Sequence, residues 1–256
     1  MKQYQVYLFD LYGTLVDIHT DESRPSFWKV VAAYYTAQGA PYTWKTIQES
    51  YRALCAAETA RLQSQYPDAK IEIDLLPVFR SLYAQKGIDA DAALLAETAR
   101  YFRQRSTTHL RAYAGAGELL DALRAAGRSV ILLSNAQSCF TRPELERLGL
   151  ARRFDRIYIS SETGFQKPDP SFFAAPLRDL GLDPADCLMI GNDPLCDVAG
   201  AQAVGMDAVY IRSGLSPKGI ASPARHSERS EESAAPVLSL PRMDLSRLRA
   251  KLLART

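Results

Sequence analysis

Short runs of aliphatic and β-branched residues punctuate the chain at 6–9, 129–133, 157–160, 187–190 and 208–211, each followed by a turn and a helix-like segment. Strands buried on both faces read as near-continuous apolar runs, so this alternation predicts a parallel sheet with helices on both sides. Between about 15 and 110 the period changes. Apolar positions recur there at helical spacing in 27–37, 46–62, 75–83 and 92–102, with no convincing strand. GELLDALRAAG at 117–127 then reads as a helix ended by Gly127, and 244–254 as a final helix. The expected architecture is α/β: a Rossmann-like, doubly wound parallel-sheet core from residues 1–15 and 111–256, with a helical cap inserted at 16–110. Ligands of such sheets sit at the carboxyl ends of the strands. A cap above that edge excludes water and can close on a substrate.

Composition narrows the partners. The 256 residues are 47% apolar, enough for a sizeable core, and the formal charge of +2 gives no basic field for a nucleic acid. The stretch 222–236, rich in Ser, Glu, Arg and Pro, cannot bury a core and reads as an insertion without chemistry. Cys55, Cys139, Cys187 and Cys196 form no C-x-x-C pair and suit a reducing compartment. No apolar run approaches the ~18 residues that would cross a bilayer. The start MKQYQVYLFD lacks the apolar region of a secretion signal, so a cytoplasmic location and no membrane partner are expected.

Four short motifs fall at or just after the ends of the expected strands. They are FDLYGTL with Asp10, Tyr12 and Thr14, VILLSNA with Ser134 and Asn135, FQKPDP with Lys167, and MIGNDPLCD with Asp193 and Asp197. Alone, an aspartate ending a strand is more often a cap or turn residue. Together the motifs suit attack on a tetrahedral anion. Asp10 can be a nucleophile, Ser134 can hold a phosphoryl oxygen, and Lys167 can neutralise the charge of the meeting anions. Asp10, Asp193 and Asp197 offer hard oxygen ligands for Mg²⁺.

In order and spacing these motifs resemble those of the haloacid dehalogenase superfamily, across nearly the whole chain outside 222–236. The resemblance implies a hydrolase with Asp10 as nucleophile, Ser134, Asn135 and Lys167 binding the anion, and Mg²⁺ held by Asp10, the carbonyl of Tyr12, Asp193 and Asp197. Asn192 stands at one place where the first metal acid can lie, so Asn192 and Asp193 can exchange roles.

Family phosphatases carry a second aspartate two places after the first, as acid and then base; here it is Tyr12, a poor base at its ordinary pKa. D-x-Y-G-T also resembles the dehalogenases proper, whose halide leaves without a proton. The acidic fourth motif and Lys29 without arginine in FWKVVAAYYTAQG favour a Mg²⁺-dependent phosphatase of a small phosphorylated metabolite. A 2-haloacid dehalogenase and a phosphate-binding protein without turnover remain the alternatives. His19 is a candidate substitute proton donor or a solvated turn residue. Trp28, Tyr34 and Tyr35 read as packing, as does Cys196, and His109 and His226 have no ligand-like spacing.

Overall fold

The computed structural model describes residues 2–218 and 236–254. Of the stretch 222–236, only Pro236 lies among them; the expectation of an insertion, and His226, fall outside the described residues. Strands β1 (Val6–Phe9), β2 (Val16–Thr20), β3 (Thr107–Ala112), β4 (Ser129–Ser134), β5 (Arg156–Ile159), β6 (Cys187–Gly191), β7 (Asp207–Ile211) and β8 (Leu238–Leu240) are joined by helices. The helices are α1 (Pro25–Ala37), α2 (Trp44–Gln65), α3 (Leu75–Ala84), α4 (Ala92–Ser106), α5 (Ala116–Ala125), α6 (Ser138–Arg147), α7 (Ser160–Thr163), α8 (Pro170–Leu180), α9 (Gly200–Ala203) and α10 (Leu245–Leu253).

Six strands form one parallel sheet in the order β5-β4-β1-β6-β7-β8, with β1 between its two partners. Every residue of β1 is buried, which is why its sequence VYLF does not alternate with polar positions. Tyr7 and Phe9 join Val130, Leu132, Leu188 and Ile190 on one face, packed against leucines of α5 and α10. Val6 and Leu8 join Ile131, Leu133 and Met189 on the other, against Phe172 and Phe173 of α8. Two apolar layers thus sandwich the sheet, and the doubly wound α/β expectation holds.

Residues 16–112 differ in one respect from their sequence pattern. β2 and β3 pair as an antiparallel ribbon, Val16 opposite Ala112 and Ile18 opposite Leu110, that carries the chain out of the core and back. No strand was expected there, because β3, TTHLRA, is half polar and largely exposed and leaves no apolar run to read. β8 escaped for a related reason: three residues on a sheet edge are too short to show a period. Between the ribbon strands, α1 to α4 enclose an apolar cluster of their own. Trp28 and Tyr35 pack inside it and Tyr34 against its edge, as their helical spacing predicted. Asp74 and Asp91 cap α3 and α4 by accepting bonds from Leu76 and Leu94.

The helical block is tied to the sheet by the segment before α3. Lys70 N donates to Asp169 Oδ2 at 2.8 Å, Gln166 N to the Lys70 carbonyl at 2.8 Å, and Glu72 N to the Gly164 carbonyl at 2.9 Å. The Glu72 carboxylate accepts from Gln137 Nε2 at 3.0 Å and Ser160 Oγ at 3.3 Å. Burial pushes its pKa up from 4.5 to about 6, against the pull of those two donors. A raised acid makes a contribution that is present below the unfolded pKa and lost as pH rises through the folded one. Glu72→Gln keeps an acceptor for Gln137 without the charge. Chemical denaturation should find it about 1–2 kcal/mol more stable than wild type at pH 8 and equal to it below pH ~4.5.

Candidate active site

The carboxyl ends of β1, β4 and β6 and the segment preceding α8 converge. Asp10 follows β1, its N–H bonded to the Ile190 carbonyl of β6 at 2.9 Å, so the sheet itself aims the carboxylate. The chain then turns through Gly13, whose φ of +88° favours glycine; a Cβ there would also lie 2.3 Å from the Asn192 side chain. Thr14, fully buried, donates from Oγ1 to Asp10 Oδ2 at 3.0 Å.

Lys167 sits between two carboxylates, with Nζ 2.9 Å from Asp10 Oδ1 and 2.7 Å from Asp197 Oδ1. Burial opposes its charge, but the two carboxylates outweigh burial and raise its pKa, so it is an ammonium. Asp197 is also buried, and burial together with Asp10 holds its carboxyl above the ordinary range. Gly191 allows this approach, because a Cβ there would fall 2.4 Å from that of Asp197. Ser134, at the end of β4, is fully buried and its Oγ has no hydrogen-bond partner among the described residues. Such a hydroxyl costs free energy unless something fills the place beside it.

Several expected roles change. The Asn135 side chain is spent on positioning: its Oδ1 accepts from Lys167 N at 2.7 Å and its Nδ2 donates to the Lys167 carbonyl at 2.9 Å. It therefore fixes the backbone of the lysine, and its amide oxygen and nitrogen are already engaged there. Asp193 Oδ1 accepts from Leu195 N at 2.8 Å and Cys196 N at 2.9 Å, so this side chain caps the following turn. Asn192 reaches Asp10 instead. Its amide lies 3.2 Å from both Asp10 Oδ2 and the Tyr12 carbonyl, donating to both when the nitrogen is inward. With the oxygen inward it accepts from Thr14 Oγ1 at 3.3 Å. Asp197 is committed to Lys167 and, through Oδ2, to Asp193 N at 2.9 Å.

Among the described residues, no three His, Cys, Asp or Glu side chains gather as a metal site. The oxygens that do gather are Asp10 Oδ2, the Tyr12 carbonyl and the Asn192 amide oxygen, one charged and two neutral. Such a set suits Mg²⁺, which often takes one or two carboxylates and keeps the substrate phosphate and water as its other ligands.

Tyr12 is no proton donor to a substrate in this arrangement. Its hydroxyl donates to Glu144 and lies 3.1 Å from Thr141 Oγ1, and burial and the Glu144 charge raise its pKa. Arg103 of α4 closes this group, donating to Glu144 from Nε at 2.6 Å and Nη2 at 3.3 Å, its guanidinium 5.6 Å above the Tyr12 ring. Arg103 and Glu144 were invisible as a pair, since 41 residues separate them and nothing local marks either. His19 stands on the other face of the ribbon from the cavity-lining Ile18 and Thr20, exposed and bonded to Thr108 Oγ1 at 2.9 Å. It is thereby removed as a proton donor. Burial pushes the Cys196 thiol up to about 12, which suits packing and not redox chemistry.

Two cavities meet at Tyr12 and Asn135. One of 180 Å³ holds Asp10, Lys167 and Asn192; the other, of 320 Å³, extends between the sheet edge and the helical block past Glu22 and Arg103.

A family model described as haloacid dehalogenase-like hydrolase matches residues 4–205. A phosphoserine phosphatase of Thermus thermophilus is 36% identical over 142 residues, 55% of each chain. An (S)-2-haloacid dehalogenase 4A of Burkholderia cepacia is 27% identical over 237 residues, 91% of this chain and 94% of that one. The chain spans about half the length of several curated relatives that it matches, 40% to 58% in four of them. The crystal structure of a 2-haloacid dehalogenase from Pseudomonas syringae pv. Tomato shares the fold, with a TM-score of 0.64 at 22% identity and 99% coverage of both chains. With Asp10 at the end of β1, Ser134 at the end of β4 and Lys167 between Asp10 and Asp197, the chain belongs to the haloacid dehalogenase-like hydrolase family.

Proposed function

We propose that the protein is a phosphatase of a small phosphorylated metabolite, acting through an aspartyl-phosphate on Asp10, with residues 16–110 as a cap over the site. The observation that carries this reading is the buried Ser134 hydroxyl, left without a partner at the end of β4, the strand paired with β1, whose own end leads into Asp10 and its anchored ammonium. A phosphoryl group offers acceptors for the hydroxyl and for Lys167. Asp10 Oδ attacks phosphorus and the bond to the leaving oxygen breaks as that oxygen takes a proton from solvent water. A second water, giving up a proton to solvent, then attacks the same phosphorus to release phosphate and free Asp10. Thr14 and Lys167 orient the carboxylate, Asn135 holds Lys167 in place, and Asp197 keeps the ammonium charged. Mg²⁺, when bound, would reduce the repulsion between the two anions. The residues to hold it are Asp10, the Tyr12 carbonyl and Asn192, in place of the expected Asp193 and Asp197. The four thiols are free and no helix among the described residues is long and apolar enough to cross a membrane. Both fit a cytoplasmic location.

Carbon–halogen hydrolysis is the second reading, favoured by Tyr12 and by an amide where a second metal acid would stand. A 2-haloacid needs a cation for its carboxylate, and the cation lining the larger cavity, Arg103, is already paired with Glu144.

Asn192→Asp tests the phosphatase reading. A second carboxylate beside Asp10 should lower the Mg²⁺ concentration for half-maximal phosphatase activity by about tenfold or more, since a divalent ion gains a charged ligand. Wild-type phosphatase activity should vanish in excess chelator and return with Mg²⁺. Phosphatase activity indifferent to chelator in both proteins would contradict the assignment.

A further inference from the structure

The larger cavity has two charged side chains in its lining, Glu22 and Arg103. They are not equivalent. Arg103 is forked onto Glu144, so its charge is already met. The Glu22 carboxylate makes no hydrogen bond or ion pair with any other described residue. Its backbone is held, because Trp28 Nε1 donates to the Glu22 carbonyl at 2.8 Å. Arg103 is close enough to act on Glu22 but is shared with Glu144, so two carboxylates and one guanidinium leave the cavity reached from the nucleophile through Tyr12 and Asn135 with one negative charge in excess.

We propose that Glu22 selects phosphate monoesters whose leaving alcohol carries a protonated amine. This rests on the phosphatase reading above. With the phosphate against Ser134 and Lys167, the rest of the substrate enters a space of 320 Å³, room for a small amino alcohol. An ammonium there gains a charge-assisted bond to Glu22, an uncharged alkyl group gains nothing, and a carboxylate is repelled. Burial raises the pKa of Glu22 in the free protein against the pull of Arg103, so the guanidinium shared with Glu144 does not offset the cost of burying this carboxylate. The same ammonium stabilises charge developing on the departing oxygen, where the hydroxyl of Tyr12 is turned away to Glu144.

Calorimetric binding to the full-length Asp10→Asn protein without added metal separates substrate choice from turnover, because the amide removes the repulsion between carboxylate and phosphate that the cation would otherwise offset. Phosphoethanolamine should bind about tenfold or more tightly than ethyl phosphate, and phosphoglycolate more weakly than either. Adding Glu22→Gln should bring phosphoethanolamine and ethyl phosphate level. Glu22→Lys, its folding checked by thermal melting, should make phosphoglycolate the tightest of the three. Equal binding of phosphoethanolamine and ethyl phosphate, a preference that survives Glu22→Gln, or binding of none of them overturns the inference. Wild-type enzyme that hydrolyses uncharged phosphate esters without this preference sinks only the role of Glu22. Lack of turnover on every phosphate sinks the reading beneath it.

Discussion

Lys167→Met should cost the protein both its activity and much of its stability. The ammonium lies within 3 Å of two carboxylates, and all three side chains are buried. Methionine fills similar space without charge, so Asp10 and Asp197 would face each other with nothing between them. Removing one partner of a buried ion group costs about 3–5 kcal/mol, because the remaining charge is stranded. Turnover should fall by about 10²–10³-fold or more, as for loss of a group that stabilises charge in the transition state. Adding Asp197→Asn relieves one stranded charge, so the double variant should recover part of the stability and none of the rate. Denaturant melts of wild type, Lys167→Met, Asp197→Asn and the double variant measure this directly. A single variant as stable as wild type would show that the lysine is not the counter-charge of both acids.

Tyr12→Asp should move the enzyme the other way on its hardest substrates. The wild-type site has no acid two places after Asp10, and the phenol is bonded to Glu144 and Thr141. An aspartate restores a carboxyl able to give a proton to the leaving oxygen and take one from water, help worth typically ~10²–10⁴-fold. The gain should be largest for alkyl phosphates and small for acyl phosphates, whose leaving groups need no proton. It carries a cost of about 1–3 kcal/mol, since Glu144 loses a buried donor and keeps only Arg103. Rates compared across leaving groups test it. Equal turnover of wild type and a folded variant on alkyl phosphates would mean that another group already supplies the proton.

How much of this was legible depends on how locally each feature is written. Asp10, Ser134 and Lys167 were readable because each closes or follows a short, recognisable segment that the parallel sheet brings to one edge. Asn192 and Asp193 were not separable in sequence. Adjacent residues at a strand end point different ways, and only the turn after β6 decides that Asp193 caps while Asn192 reaches Asp10. The same is true of Asn135, whose two bonds to the Lys167 backbone cross 32 residues. The β2–β3 ribbon is half polar and hides its period, so His19 could not be assigned to a face. Glu22, just beyond that ribbon, gave no signal for the same reason.

The central claim is that Asp10 attacks phosphorus and not a substrate carbon, so that water hydrolyses an aspartyl-phosphate at phosphorus and not an alkyl ester at the Asp10 carboxyl carbon. Turnover in H₂¹⁸O followed by mass spectrometry of the phosphate and of the Asp10 peptide tests it most directly. A phosphatase places ¹⁸O in the released phosphate and leaves the Asp10 carboxylate unlabelled through many turnovers. Label entering the Asp10 peptide during multiple turnovers of a 2-haloacid, with halide released and phosphate esters untouched, would contradict the account and make the protein a dehalogenase.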